Sequence, residues 1–180
     1  ATVTCGHAFG GDFEAVSIFS ALAVARHVGG ADAVVVAMGP GIVGTNTRLG
    51  FSGIEAGPAL DAAGALGGRA IAALRISRAD QRDRHQGVSH HSLTTLRIAA
   101  DRPCEVVVPQ GASEALEQLA RAGVSAKHDV VEVKSPDVLA LFARHGLHVT
   151  SMGRPASDDP ILFEAAAAAG RYAAQISMNL

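Results

Sequence analysis

Short β-branched apolar runs alternate with Ala-rich stretches along this chain, a pattern that predicts strands separated by crossover helices. The expected strands are Thr2–Cys5, Ala33–Met38, Ala70–Ile76, Glu105–Pro109, Asp129–Val133 and His148–Ser151. The second of these, AVVVAM, is apolar at every position, as central parallel strands are when both faces are covered. Between them lie expected helices at about Asp12–Val28, a stretch ending near Gly67–Gly68, Ser89–Ala100, Ser113–Ala122, Pro136–His145 and Asp159–Ala174. Ser113 and Ser135 are read as N-caps, and Pro160 fits a first helical turn. For the helix ending near Gly67, a capping box of Ser52 and Glu55 competes with a start at Pro58, and Pro58 fits better. The predicted fold is α/β: a three-layer, mostly parallel six-stranded sheet with helices on both faces, Rossmann-like in outline. No linker or repeat interrupts it, so residues 1–180 are expected to form one domain. The abrupt opening on a strand at Ala1 fits the carboxyl-terminal part of a longer protein, and processing or trimming of the chain explains it equally well.

Composition narrows the partners. The chain is 48% apolar with only 4% aromatic residues, so the core must be aliphatic. A formal net charge of −2 excludes a dedicated nucleic-acid binder, which needs excess Lys and Arg to neutralise phosphates. Lys127 and Lys134 are the only lysines, so almost every cation is an arginine. Apolar runs fall short of a membrane span and no leader is visible, which makes the cytoplasm the default location. Cys5 and Cys104 lack the spacing of a metal site or a disulfide framework and read as buried small apolar residues.

The chemistry-bearing residues are unevenly placed. Segments entering the predicted strands are short, whereas those leaving the first three are long and rich in Gly, His, Arg and hydroxyls. In parallel sheets, ligands bind at the strand carboxyl ends, where helix N-termini and loops converge. The first such segment, 6–12, offers His7 and Asp12 as an acid–base pair around paired glycines; the plainer reading has Asp12 capping a helix. The second, 38–53, resembles a phosphate cradle in its Gly39-x4-Gly44-Thr45 spacing but lacks the Lys such a loop needs, which excludes a nucleotide triphosphatase. Gly39, Gly41, Gly44, Thr45, Asn46, Thr47 and Arg48 still suit a carboxylate or a single phosphate; a purely structural Ω-loop is the alternative.

The third segment, 77–92, carries Arg84 and three imidazoles within seven residues: His85, His90 and His91. Such a set serves acid–base catalysis or binds a divalent metal, and neither the metal nor any other cofactor is specified by a known ligand motif. Adjacent helical positions project about 100° apart, so only one of His90 and His91 should face a ligand. Arg78, Asp80 and Arg82 read as solvated surface charges. Farther on, Arg154 is a candidate anion contact, while His27, His128, His145 and His148 read as structural.

The strings GHAFGGD (6–12), MGPGIVGTNTRLGFSG (38–53) and DRHQGVSHHS (83–92) resemble those of an uncharacterised bacterial family of unknown function. The likeness covers the whole chain and implies a carboxyl-terminal portion of a longer protein. It implies no activity and no catalytic residue. The reading favoured by placement is an enzyme, a hydrolase or transferase acting on a small anionic metabolite. A non-catalytic small-anion binding or sensing domain uses the same residues without turnover. A third reading is an assembly module, in which the apolar first helix and Ala-rich last helix bury a homo-oligomer interface.

Overall fold

A computed structural model describes residues 1–39 and 41–178. Its centre is a three-stranded parallel sheet in the order β3 (Ile71–Ala73), β6 (Glu105–Pro109), β7 (Asp129–Val133). The middle strand shows why: Val106, Val107 and Val108 are fully buried, so both of its faces are covered. Strand alternation sends Val106 and Val108 to a cluster with Leu96, Ala115, Leu119 and Val124, and Val107 to a second cluster with Val133, Ala168 and Ala169. The second cluster is built by the long helix α6 (Pro160–Ser177), which packs along all three strands. Tyr172 of that helix donates its hydroxyl to Glu105 Oε1 (2.9 Å), and Arg69 pairs with the same carboxylate.

The other helices are α1 (Ile18–His27), α2 (Ala56–Ala65), α3 (His90–Thr94), α4 (Ser113–Arg121) and α5 (Val138–Arg144). β6, β7 and α4 match their predicted positions within a residue. Caps explain the shifted boundaries elsewhere. α1 starts at Ile18 rather than Asp12 because Ser17 and Ser20 form a reciprocal capping box. α5 is capped by Asp137, whose carboxylate accepts from Ala140 N (2.9 Å), not by Ser135. α2 follows a 3-10 turn at Ser52–Glu55, no side chain caps it, and Pro58 sits inside its first turn. α3 is capped by Ser89 and runs directly into a π-helical turn, Thr95–Ala99.

The sheet is not the predicted six-stranded one. The described strands form one three-stranded and three two-stranded sheets, and the physical reasons differ strand by strand. β1 (Val3–Cys5) satisfies its ladder locally, pairing in parallel with β2 (Phe13–Ala15), part of the stretch expected to be helical. The run Ala33–Met38 forms no strand and lies on the surface, with Val35 93% exposed. An apolar run encodes a preference for burial, but a strand also needs a neighbour to bond, and no backbone hydrogen bond among the described residues reaches 33–38. The third predicted strand breaks at Arg75, whose backbone N–H turns to Ser92 Oγ (3.0 Å). Its continuation, β4 (Ile76–Ser77), pairs antiparallel with β5 (Gly87–Val88). The sixth becomes a small hairpin, β8 (Thr150–Ser151) with β9 (Arg154–Pro155). Met152 and Gly153, both at positive φ, make the two-residue turn that favours an antiparallel return.

Candidate functional site

Loop 78–86 leaves β4 and is organised around a buried carboxylate. Asp80, expected at the surface, is only 2% exposed. It accepts from Arg82 Nε (3.0 Å), Arg82 N (3.1 Å) and Arg75 Nη2 (2.7 Å). The Arg82 hydrogen bond, reinforced by Arg75, holds this carboxyl well below the usual carboxylate range. Asp159, beside the first turn of α6, anchors the same loop by accepting from Ser77 Oγ and from Arg78 N (2.9 Å). At the loop's far end Gly87 has φ +63°, and a Cβ there would stand 2.3 Å from the Gln118 side chain, which itself accepts from Val88 N (2.6 Å). Ser89 N returns to Arg75 O (2.8 Å), closing the segment. This closure presents the three histidines together.

His85 is 2% exposed. Its Nδ1 bonds Ser89 Oγ (2.7 Å), and that hydroxyl also accepts from His91 N (3.2 Å). The ring centroids lie 5.0 Å apart for His85 and His90, 4.9 Å for His85 and His91, and 4.3 Å for His90 and His91. One ring nitrogen from each lies within 4.8 Å of the other two. Both neighbouring imidazoles therefore join the cluster. Phe51, itself buried, stacks on His91 at 4.1 Å and meets His90 edge-on at 5.9 Å, which holds the two rings together. Burial pushes His85 down to about 4, and the Arg75 and Arg82 cations act in the same direction. Burial does the same to His91, also to about 4, with His90 and Arg75 contributing next. His90 is lowered first by burial and then by Arg84, Arg82 and Arg75. All three rings are neutral at pH 7.

Beside the cluster opens a cleft of about 520 Å³ lined by Asn46, Thr47, Arg48, Arg84, His90, Leu93, Thr94 and Arg97. One wall is the loop after the exposed 33–38 run. Its tip is pinned by Thr45 N to Gly50 O (2.6 Å) and by the Thr45 and Thr47 hydroxyls (2.8 Å). A Cβ at Gly50 would stand 2.1 Å from Thr45 Oγ1 and 2.5 Å from Thr47 Oγ1, so a side chain there would displace the two hydroxyls that pin the tip. The opposite wall is α3 and its π-helical extension. Arg84 Nη1 donates to Asn46 Oδ1 (2.6 Å) and ties the two walls together. No carboxylate lines the cleft among the described residues. None of its three arginines joins an ion pair among the described residues.

The structure thus brings Asn46, Thr47, Arg48, Arg84 and His90 to one cleft, with His85 and His91 beside it. Gly39, Gly41, Gly44 and Thr45 lie in the loop but do not line the cleft, and the Thr45 hydroxyl is spent within the loop. Pro40, in the same loop, lies outside the described residues. His7 is exposed in the turn between β1 and β2, and Asp12 accepts from Thr2 N (2.7 Å), stapling that turn; neither lines the cleft. Arg154 belongs to the β8–β9 hairpin, with its Nε buried and without a hydrogen-bond partner among the described residues. Sequence reading missed Leu93, Thr94 and Arg97. They stand three, four and seven residues after His90, the spacing that places them on its helical face. His128 is structural: buried, with Nε2 at 2.8 Å from Leu96 O and Nδ1 accepting from Cys104 N (3.2 Å). Burial pushes the adjacent Cys104 thiol up to about 12, which keeps it protonated and inert.

By fold and site this is an α/β protein with a neutral histidine cluster beside an arginine-lined cleft. Residues 1–170 match the family described as Protein of unknown function (DUF3866), and the chain belongs to that family. No curated protein and no solved structure matches it. Among the described residues, no helix is long and apolar enough to cross a membrane.

Proposed function

We propose that the cleft binds a small anionic metabolite through its carboxylate or phosphate and that the chain acts on it as a hydrolase or transferase. One observation carries this reading: Arg48, Arg84 and Arg97 share a cleft with no carboxylate among its described lining residues. Guanidiniums present planar, bidentate donors to such anions, and the Thr47 and Thr94 side chains add hydroxyls on the same walls. His90 supplies the proton chemistry. A ring held neutral at pH 7 accepts a proton from water or a substrate hydroxyl, which an imidazolium does not. The cleft volume falls within the usual range for small-ligand sites.

Inorganic phosphate and acetate are the probes. Millimolar phosphate should raise the melting temperature in proportion to the logarithm of its concentration over Kd. Arg48→Ala and Arg97→Ala should each weaken binding about tenfold or more, as expected for one lost charge-assisted hydrogen bond. Hydrolysis of a panel of phosphate and carboxylic esters should be lost in His90→Asn. Flat melting curves with both anions, unchanged in the arginine variants, would sink the anion reading. Binding without turnover on any panel member would instead favour the sensing role.

A further inference from the structure

We propose that His85, His90 and His91 form a three-imidazole centre for a divalent first-row transition-metal ion such as Zn²⁺, open through His90 to the arginine-lined cleft. This deepens the anion reading and rests on it only for what occupies the open coordination position; in the metal-loaded chain His90 is a ligand, and water in the open position takes over the part of proton acceptor. Three ring nitrogens already lie within 4.8 Å of one another. Nitrogens bound to a tetrahedral zinc at about 2.1 Å stand roughly 3.4 Å apart, so small rotations of the half-buried His90 and His91 close the set. The second observation is independent of that spacing. His90 Nε2 is buried and has no hydrogen-bond partner among the described residues, and neither has Arg75 Nη1, whose charge acts on all three rings. Buried polar atoms are nearly always bonded, so an orphaned imidazole nitrogen inside a histidine cluster points to a ligand.

The surroundings fit the chemistry. Ser89 Oγ sits 2.7 Å from His85 Nδ1, where it takes that N–H and leaves Nε2 as the coordinating nitrogen, the usual outer-shell arrangement of a ligating histidine. Phe51 fixes the planes of the other two rings. Neutral imidazoles need lose no proton to bind a metal. Three neutral ligands leave a fourth position for water or substrate, as in catalytic rather than structural zinc sites. Asp80 sits between Arg75 and Arg82, which offsets part of the positive field there. The remaining cations disfavour a dication until an anion enters, so metal and anion should bind cooperatively, each raising the other's affinity by the same factor.

The test uses the full chain, purified without a histidine tag and freed of metal with a chelator. Calorimetric titration with Zn²⁺ should show one equivalent bound, and Co²⁺ should give the visible absorption of a four-coordinate site. His90→Asn and His91→Asn should abolish both. Ser89→Ala, with its circular dichroism checked because Ser89 also caps α3, should weaken metal binding about 10–100-fold. These half-buried and outer-shell variants avoid dependence on the buried His85. Zinc below a tenth of an equivalent, or binding unchanged in both histidine variants, overturns the proposal. Arg48→Ala and Arg97→Ala should leave metal stoichiometry intact while losing phosphate. Metal without anion binding therefore refutes only the cleft reading, and anion binding without metal refutes only the metal centre.

Discussion

His85, His90 and His91 stay neutral because desolvation and neighbouring guanidiniums penalise the same protonated form. That has a measurable consequence for stability. His85 and His91 ionise at about 4 when folded, against roughly 6.5 in an unfolded chain. As pH falls, the unfolded chain takes up protons first. Their contribution to stability is therefore full above about pH 6.5 and is lost as pH falls from there toward 4. Urea midpoints measured with chelator present should drop steadily between pH 7 and 5, and His91→Asn should flatten that slope. A midpoint constant across this window would show that the folded rings are not held neutral. The Asp80 carboxyl, held below the usual range, loses its contribution only at still lower pH, so it does not confuse the measurement. At this scale His85, His90, His91, Arg48 and Arg84 were legible as an unusual cluster of residue types. The burial of Asp80 was not, because a charge in a polar loop looks solvated until its two arginines are seen around it.

At the scale of elements, the cleft depends on how closely α2 approaches the π-helical turn that carries Arg97. A Cβ on Gly57 would stand 2.4 Å from Ala99 C and 2.6 Å from Ala99 Cβ. Gly57→Ala should cost about 1–3 kcal/mol by overpacking, against at most about 1 kcal/mol gained in helix propensity. The same shift of the turn should weaken phosphate binding, so a loss of stability with unchanged phosphate affinity would show that Arg97 does not depend on this contact. Periodicity identified β6, β7 and α4, where apolar pattern and length agree, although α4 starts from Ala112 with no side-chain cap and Ser113 is its first residue, not its cap. Periodicity placed β1 but not its pairing with β2, and it failed at 33–38; hydrogen-bond partners decide both outcomes, and those partners are not encoded in the run itself. The π-turn was equally invisible, since its residues read as the continuation of an ordinary helix.

For the whole molecule, stability rests on the aliphatic packing between the sheet and its covering helices. Leu119 on α4 is fully buried in the larger cluster, and Leu119→Ala should cost about 2–5 kcal/mol in urea unfolding. A cost well under 1 kcal/mol would show that the site collapses around the truncation. Removing Leu119 should not alter the cleft directly, because the lining residues come from α3, its extension and two loops.

The sequence by itself determined the alternation of strand and helix, the aliphatic core, and the concentration of histidine, arginine and glycine in two loops that do meet. Those properties are local: each follows from residue type and spacing along a few turns of chain. Only the tertiary structure decided that the main sheet has three strands and that both His90 and His91 join His85. It also decided that Arg97, and not His7 or Asp12, lines the cleft. These depend on contacts between segments far apart in sequence, where a strand exists only if a neighbour bonds it and a charge is buried only if its partner arrives.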